Sequence, residues 1–126
     1  AGHAWSEETE AALVAGFDVG VMPLPDEPWE RGKSGYKLIQ CMAAGRPVIA
    51  SPVGVNAELV EGVGRLAAGD EQWVAAIVEL GRSKALRERV GAAARARVEQ
   101  RYSLEVAGPR VARVLRDAAG ITRGAQ

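Results

Sequence analysis

A chain of 126 residues, 48% hydrophobic and 25% charged, has room for one modest domain and too little for two. Sixteen Lys and Arg balance sixteen Asp and Glu, so the chain as a whole is not built to seek polyanions. A single cysteine, Cys41, excludes an internal disulfide and points to a reducing compartment, and no apolar run approaches the length of a bilayer span. A soluble cytoplasmic protein is expected, at most peripheral at the inner face of the membrane. The charge is unevenly spread. Residues 1–70 carry five Lys and Arg against ten Asp and Glu, a net of −5, and residues 71–126 carry eleven against six, a net of +5. The basic half reads first as arginine-rich solvated helices, with a docking face as the alternative.

The opening Ala1-Gly2-His3-Ala4-Trp5 leads straight into a helix signal, as expected of a piece of a larger protein. Ser6 with Glu7, Glu8 and Glu10 behind it predicts an N-cap and an acidic first turn, and the helix should stop at Gly16. Asp18–Met22 is a short apolar run ended by Pro23 and Pro25, hence a buried strand. Residues 23–34, with three prolines and several charges, read as a loop. Gly35–Ala44 has helical spacing and is stopped by Gly45 and Pro47. Pro47–Ser51 is a continuous apolar run of the kind a parallel sheet buries on both faces.

Farther on, Pro52-Val53-Gly54 turns the chain, a short helix follows Asn56 over residues 57–61, and Gly64–Ala67 suits a third strand. Asp70 should cap a helix to Leu80, Ser83 another over residues 84–100, and Ser103 a last one that meets Pro109 and should kink there. Alternating strands and helices predict an α/β fold, a Rossmann-like parallel sheet with helices on both faces.

The stretch with chemical content is Gly32-Lys33-Ser34-Gly35-Tyr36-Lys37-Leu38-Ile39-Gln40. Small residues sit where a strand has ended and a helix begins. A helix start leaves unpaired N–H groups, and Gly32 and Gly35 would let a ligand approach them closely. Lys33 and Lys37 add positive charge and Ser34 a hydroxyl, the set a diphosphate asks for. Such turns also occur without binding phosphate, so the pattern alone leaves both readings open. Within the helix, Leu38, Cys41 and Met42 can share a buried face, and Tyr36, Gln40 and Ala43 a second stripe able to line a cleft.

Taken with Asp18–Leu24 before it and Gly45-Arg46-Pro47-Val48-Ile49-Ala50-Ser51-Pro52-Val53-Gly54 after it, this stretch closely resembles glycosyltransferase family 4. Asn56–Val60, Gly64–Ala67 and Arg101–Leu104 extend the resemblance over most of the chain. The resemblance implies the two-domain GT-B fold, with residues 1–126 as the later part of the nucleotide-sugar-binding domain. It further implies transfer of a sugar from a nucleotide-sugar donor with retention of configuration, no metal and no cofactor. The acceptor, lipid- or saccharide-linked, would be held by an N-terminal domain, and the fragment would be inactive alone. A non-enzymatic phosphate-binding or assembly module of the same fold is the alternative.

In that family two glutamates stand eight positions apart, the first holding sugar hydroxyls and the second ribose. Here those positions are Gly32 and Gln40. Gln40 keeps the reach to hydrogen-bond ribose without the charge. Gly32 has no side chain to offer, so Glu30, or Asp26 and Glu27, would have to reach the sugar. The resemblance thus implies a donor site of Gly32, Lys33, Ser34, Gly35, Tyr36, Lys37 and Gln40 with Glu30 as a further candidate. It identifies no catalytic residue. His3 and Cys41 read as structural, and Trp29 either packs over a sugar or base or packs within its loop. Because the implied order of strands leaves the outer edge of Asp18–Met22 bare, a homo-oligomer covering that edge is expected. A fold-back of residues 1–5 or of the last helix is the alternative cover.

Overall fold

The computed structural model describes residues 2 and 4–120, and His3 lies outside them. Three parallel strands form one sheet in the order β1 (Gly20–Met22), β2 (Val48–Ala50), β3 (Arg65–Leu66). The helices are α1 (Glu7–Ala15), α2 (Pro28–Arg31), α3 (Tyr36–Ala43), α4 (Asn56–Val60), α5 (Asp70–Arg82), α6 (Lys84–Arg101) and α7 (Leu104–Ala118). This is the α/β, Rossmann-like arrangement that the alternation of apolar runs predicts.

The sheet is sandwiched because β2 is apolar at every position. Val48 and Ala50 point to one face, where Leu38 and Met42 of α3, Leu59 and Val60 of α4, and Ala94 and Val98 of α6 meet them. Ile49 points to the other face, among Ala67, Ala76, Leu80 and Val90. The period of two along a strand thus feeds two cores from three residues. All three are fully buried. In α3, Leu38 and Met42 take the predicted buried stripe and Cys41 is half-buried beside them.

Local capping differs from the sequence reading in several places. Ser6 does precede α1, but its hydroxyl bonds Thr9 Oγ1 and makes no cap bond to a backbone N–H. Asp70 is the first residue of α5, and Gly69 holds the cap position. Ser83 does cap α6, its Oγ accepting from Leu86 N at 3.1 Å. The loop over residues 23–34 contains the short α2, with Pro28 in its first turn, where a missing N–H costs nothing. α7 runs through Pro109 to Ala118. It packs against α6 and leaves Leu104, Val111, Val114 and Leu115 exposed. Among the described residues β1 pairs with β2 alone, so its outer edge is open.

The far rim of the sheet is closed by direct backbone packing. Gly91, in the middle of α6, lies so close to the Gly45 carbonyl that a Cβ there would overlap it. Gly45 is the turn between α3 and β2, at φ +71°. Gly91 therefore lets a helix rest on a turn with no side chain between them.

Candidate functional site

The opposite rim, at the carboxyl ends of the strands, is loop-built and open. β1 ends at Met22, whose carbonyl accepts from Ser51 N at 3.1 Å, and Leu24 N then donates to Ser51 Oγ at 2.9 Å. Ser51 thus holds the start of the 23–35 loop from the neighbouring strand. Within that loop Arg31 Nε donates to Asp26 Oδ1 at 2.7 Å. The bond holds the Asp26 carboxyl below its ordinary pKa. Gly54, at φ +58°, packs on the carbonyl of Arg31, where a Cβ would lie 2.6 Å from the oxygen.

The loop re-enters helix at Gly35, which caps α3 in the left-handed region at φ +69°. A Cβ at Gly35 would overlap Leu59 Cδ1, so both the conformation and the close packing require glycine. No side chain caps α3. Its first-turn N–H groups are therefore left for solvent or a ligand. A cavity of about 580 Å³ opens there, lined by Val21, Met22, Pro23, Leu24, Lys33, Ser34, Gly35, Tyr36 and Lys37. The five consecutive residues Lys33–Lys37 are thus brought together around a helix N-terminus, with two lysines in the lining.

Gln40 does not line this cavity. It is half-buried more than a turn farther along α3 and lines a second groove of about 350 Å³ along the open edge of β1. That groove is mostly apolar, with Trp5, Leu13, Val14, Phe17, Val19 and Cys41 in its wall. Val21, Met22 and Lys37 line both spaces, so the two meet at Lys37. Gln40 and Ala43 also face a third hollow between α1 and α3.

The candidate carboxylates are placed less favourably. Asp26 is engaged by Arg31. Glu30 is half-buried, with Oε2 enclosed and without a hydrogen-bond partner, and neither it nor Gly32 lines the cavity. Gly32 ends α2 in ordinary right-handed geometry, and a Cβ there would make only a normal contact with the Trp29 carbonyl. Trp29 is exposed, and Trp73 packs on the second core cluster. Cys41 faces Gly20, and burial pushes its thiol pKa up, as for an inert core residue.

Several arginines of the basic half bond backbone carbonyls. Arg87 donates to the carbonyls of Leu80 and Gly81 at the end of α5, and Arg97 to those of Glu58 and Leu59. Among the described residues no group of three His, Cys, Asp or Glu side chains is placed to hold a metal, and no helix is long and apolar enough to cross a membrane.

Ser51, Gly54 and Asn56, which contact Leu24, Arg31 and Gly35 of the loop, were not identifiable as its supports from sequence. The Pro52-Val53-Gly54 turn was their only signal. A family model described as "Glycosyl transferases group 1" matches residues 2–83, which include the whole Lys33–Lys37 turn. No curated protein and no solved structure matches the chain.

Proposed function

The chain belongs to the group 1 glycosyl transferases, and from that premise we propose that it binds the diphosphate of a nucleotide-sugar donor at the start of α3. The cavity at the carboxyl end of β1 carries the reading: uncapped helix donors, two lysines, a serine hydroxyl and a glycine surround one space. A dianionic diphosphate is stabilised by that set through hydrogen bonds and the positive end of the helix. As the bond from the sugar to the diphosphate breaks, negative charge grows on the leaving phosphate oxygen. Donors already aimed at that oxygen lower the barrier without reorganising. Lys33 and Lys37 supply the balancing charge in this scheme, with no metal ion required.

The nucleoside then runs past Lys37 toward Gln40, whose amide hydrogen-bonds ribose. The meeting of the two grooves at Lys37 supports that path. Gly32 leaves the sugar without its usual carboxylate partner, and Glu30, which has an unpartnered oxygen but does not line the cavity, is the candidate replacement in the loop. Transfer proceeds with retention, as in glycosyltransferase family 4, to an acceptor held by another domain. The chain alone binds donor and does not turn it over. In isolation it also self-associates along the open edge of β1, so that donor and second copy compete for the groove at Gln40, and a 13.3 kDa monomer in light scattering would remove that part of the reading.

The test is a titration of the chain with uridine and guanosine diphosphates, followed through its backbone amide resonances. Shifts should concentrate on residues 33–37 and at Gln40. Lys37→Ala should weaken binding roughly tenfold, the worth of one charge-assisted contact. Binding that leaves the 33–37 amides unmoved would place the donor elsewhere.

A further inference from the structure

We propose that Asn56 is a positioning residue for the anion-binding turn at Gly35, an inference that rests on the donor-site reading above. Asn56 opens α4 and is 1% exposed, one of two buried polar residues among the described residues. Its Nδ2 donates to the Ser51 carbonyl at 3.2 Å, and that carbonyl has no use for an oxygen, so the orientation of the amide is fixed. Its Oδ1 is then buried with no donor to satisfy it. A buried carbonyl oxygen left unpaired is costly and calls for a reason.

The reason lies in what Oδ1 faces. It would stand 3.4 Å from a Cβ placed on Gly35, so it lies directly behind the left-handed cap of α3. Leu59 and Val55 flank the same glycine. Residues 51–56 thus meet the 23–35 loop at three places: Ser51 holds Leu24, Gly54 rests on Arg31, and Asn56 backs Gly35. Two of these are fully formed. The third is a free acceptor on the buried side of a turn whose outer N–H groups face the cavity. An anion drawing those N–H groups outward would shift the turn. The Asn56 amide packed behind Gly35 gives the turn a fixed seat and keeps the donors aimed.

The experiment compares wild type with Asn56→Ala and Asn56→Asp, using inorganic pyrophosphate as probe and amide hydrogen exchange as a second readout. The Ile39 amide, which donates to the Gly35 carbonyl at 3.2 Å, reports the order of the turn. Ala94, buried in α6, reports global opening. In Asn56→Ala, Ile39 should exchange about tenfold faster relative to Ala94, and pyrophosphate should bind about tenfold more weakly, since small misplacements are costly in such sites.

In Asn56→Asp the protonated carboxyl has the shape of the amide, its hydroxyl donating to Ser51 and its carbonyl facing the turn. The affinity ratio to wild type, measured at each pH, should therefore return toward one as the pH falls. Unchanged Ile39 exchange together with pyrophosphate affinity within twofold of wild type would overturn the proposal. So would a pH-independent ratio for Asn56→Asp, which decides the matter if Asn56→Ala does not fold. If wild type binds no pyrophosphate, the donor-site reading fails, and Ile39 exchange alone then decides the role of Asn56.

Discussion

β1 and β2 are neighbours of equal length, paired residue for residue from Gly20 with Val48 to Met22 with Ala50, yet their surroundings differ. β2 has a strand on each side and a core on each face, and every residue in it is buried. β1 has one neighbour, and Val21 is 57% exposed. The difference assigns work within the sheet. β2 carries the stability, and β1 lends its carboxyl end and bare edge to the cavity and groove proposed to hold the donor.

The contrast can be broken by removing apolar side chains in register. Ile49→Ala should cost about 3 kcal/mol, because the side chain is fully enclosed and its cavity cannot collapse against a packed helix. Gly91→Ala tests the rim that closes beneath β2. The added methyl meets backbone at Gly45, so α6 must lift away, and a loss of about 2 kcal/mol is expected. Val21→Ala, opposite Ile49 in the ladder, should change stability by no more than about 0.5 kcal/mol. Urea unfolding midpoints measure all three. A Val21 effect equal to that of Ile49 would erase the distinction between the strands.

A smaller effect sharpens the comparison on the other side of β2. Arg65 of β3 pairs with Glu79 of α5 through two hydrogen bonds of 2.8 Å, and the Glu79 carboxyl is held below its ordinary pKa by that bonding. A carboxyl lowered on folding contributes stability that is present above its unfolded value of 4.5 and is lost as the pH falls toward the lowered one. Glu79→Gln should flatten that acid-side slope in thermal melts taken below pH 5. Both side chains are partly solvated, so the change should be the smallest of the set.

What could be read in advance follows the same division. α3 and β2 were legible because glycine, proline and an unbroken apolar run mark them, signals that depend on neighbours in sequence. α2 was hidden inside a proline-rich loop, although Glu27-Pro28 is a fair helix start once the turn is known. Asp70 was misplaced by one residue because a carboxylate favours both the cap and the first turn. The turn that lines the cavity was visible as Lys33–Lys37. The parts behind it were not, since Gly54 meets Arg31 and Asn56 meets Gly35 only after the chain has closed. Gln40 was placed on the right helix, and its separation from the cavity follows from its position past the first turn of α3.

The packing of Gly91 on Gly45 also has a bearing on the order in which the molecule is made. The strands are laid down in the same order in which they sit in the sheet, so each can dock on its predecessor as it leaves the ribosome. The face of β2 that carries Val48 and Ala50 nevertheless stays open until α6 delivers Ala94 and Val98. The family match ends at residue 83, one residue before that helix begins. A nascent chain halted there would hold the three described strands and the whole Lys33–Lys37 turn, and still lack the element that seals them. Such an intermediate keeps apolar surface exposed until a single arginine-rich helix arrives to cover it.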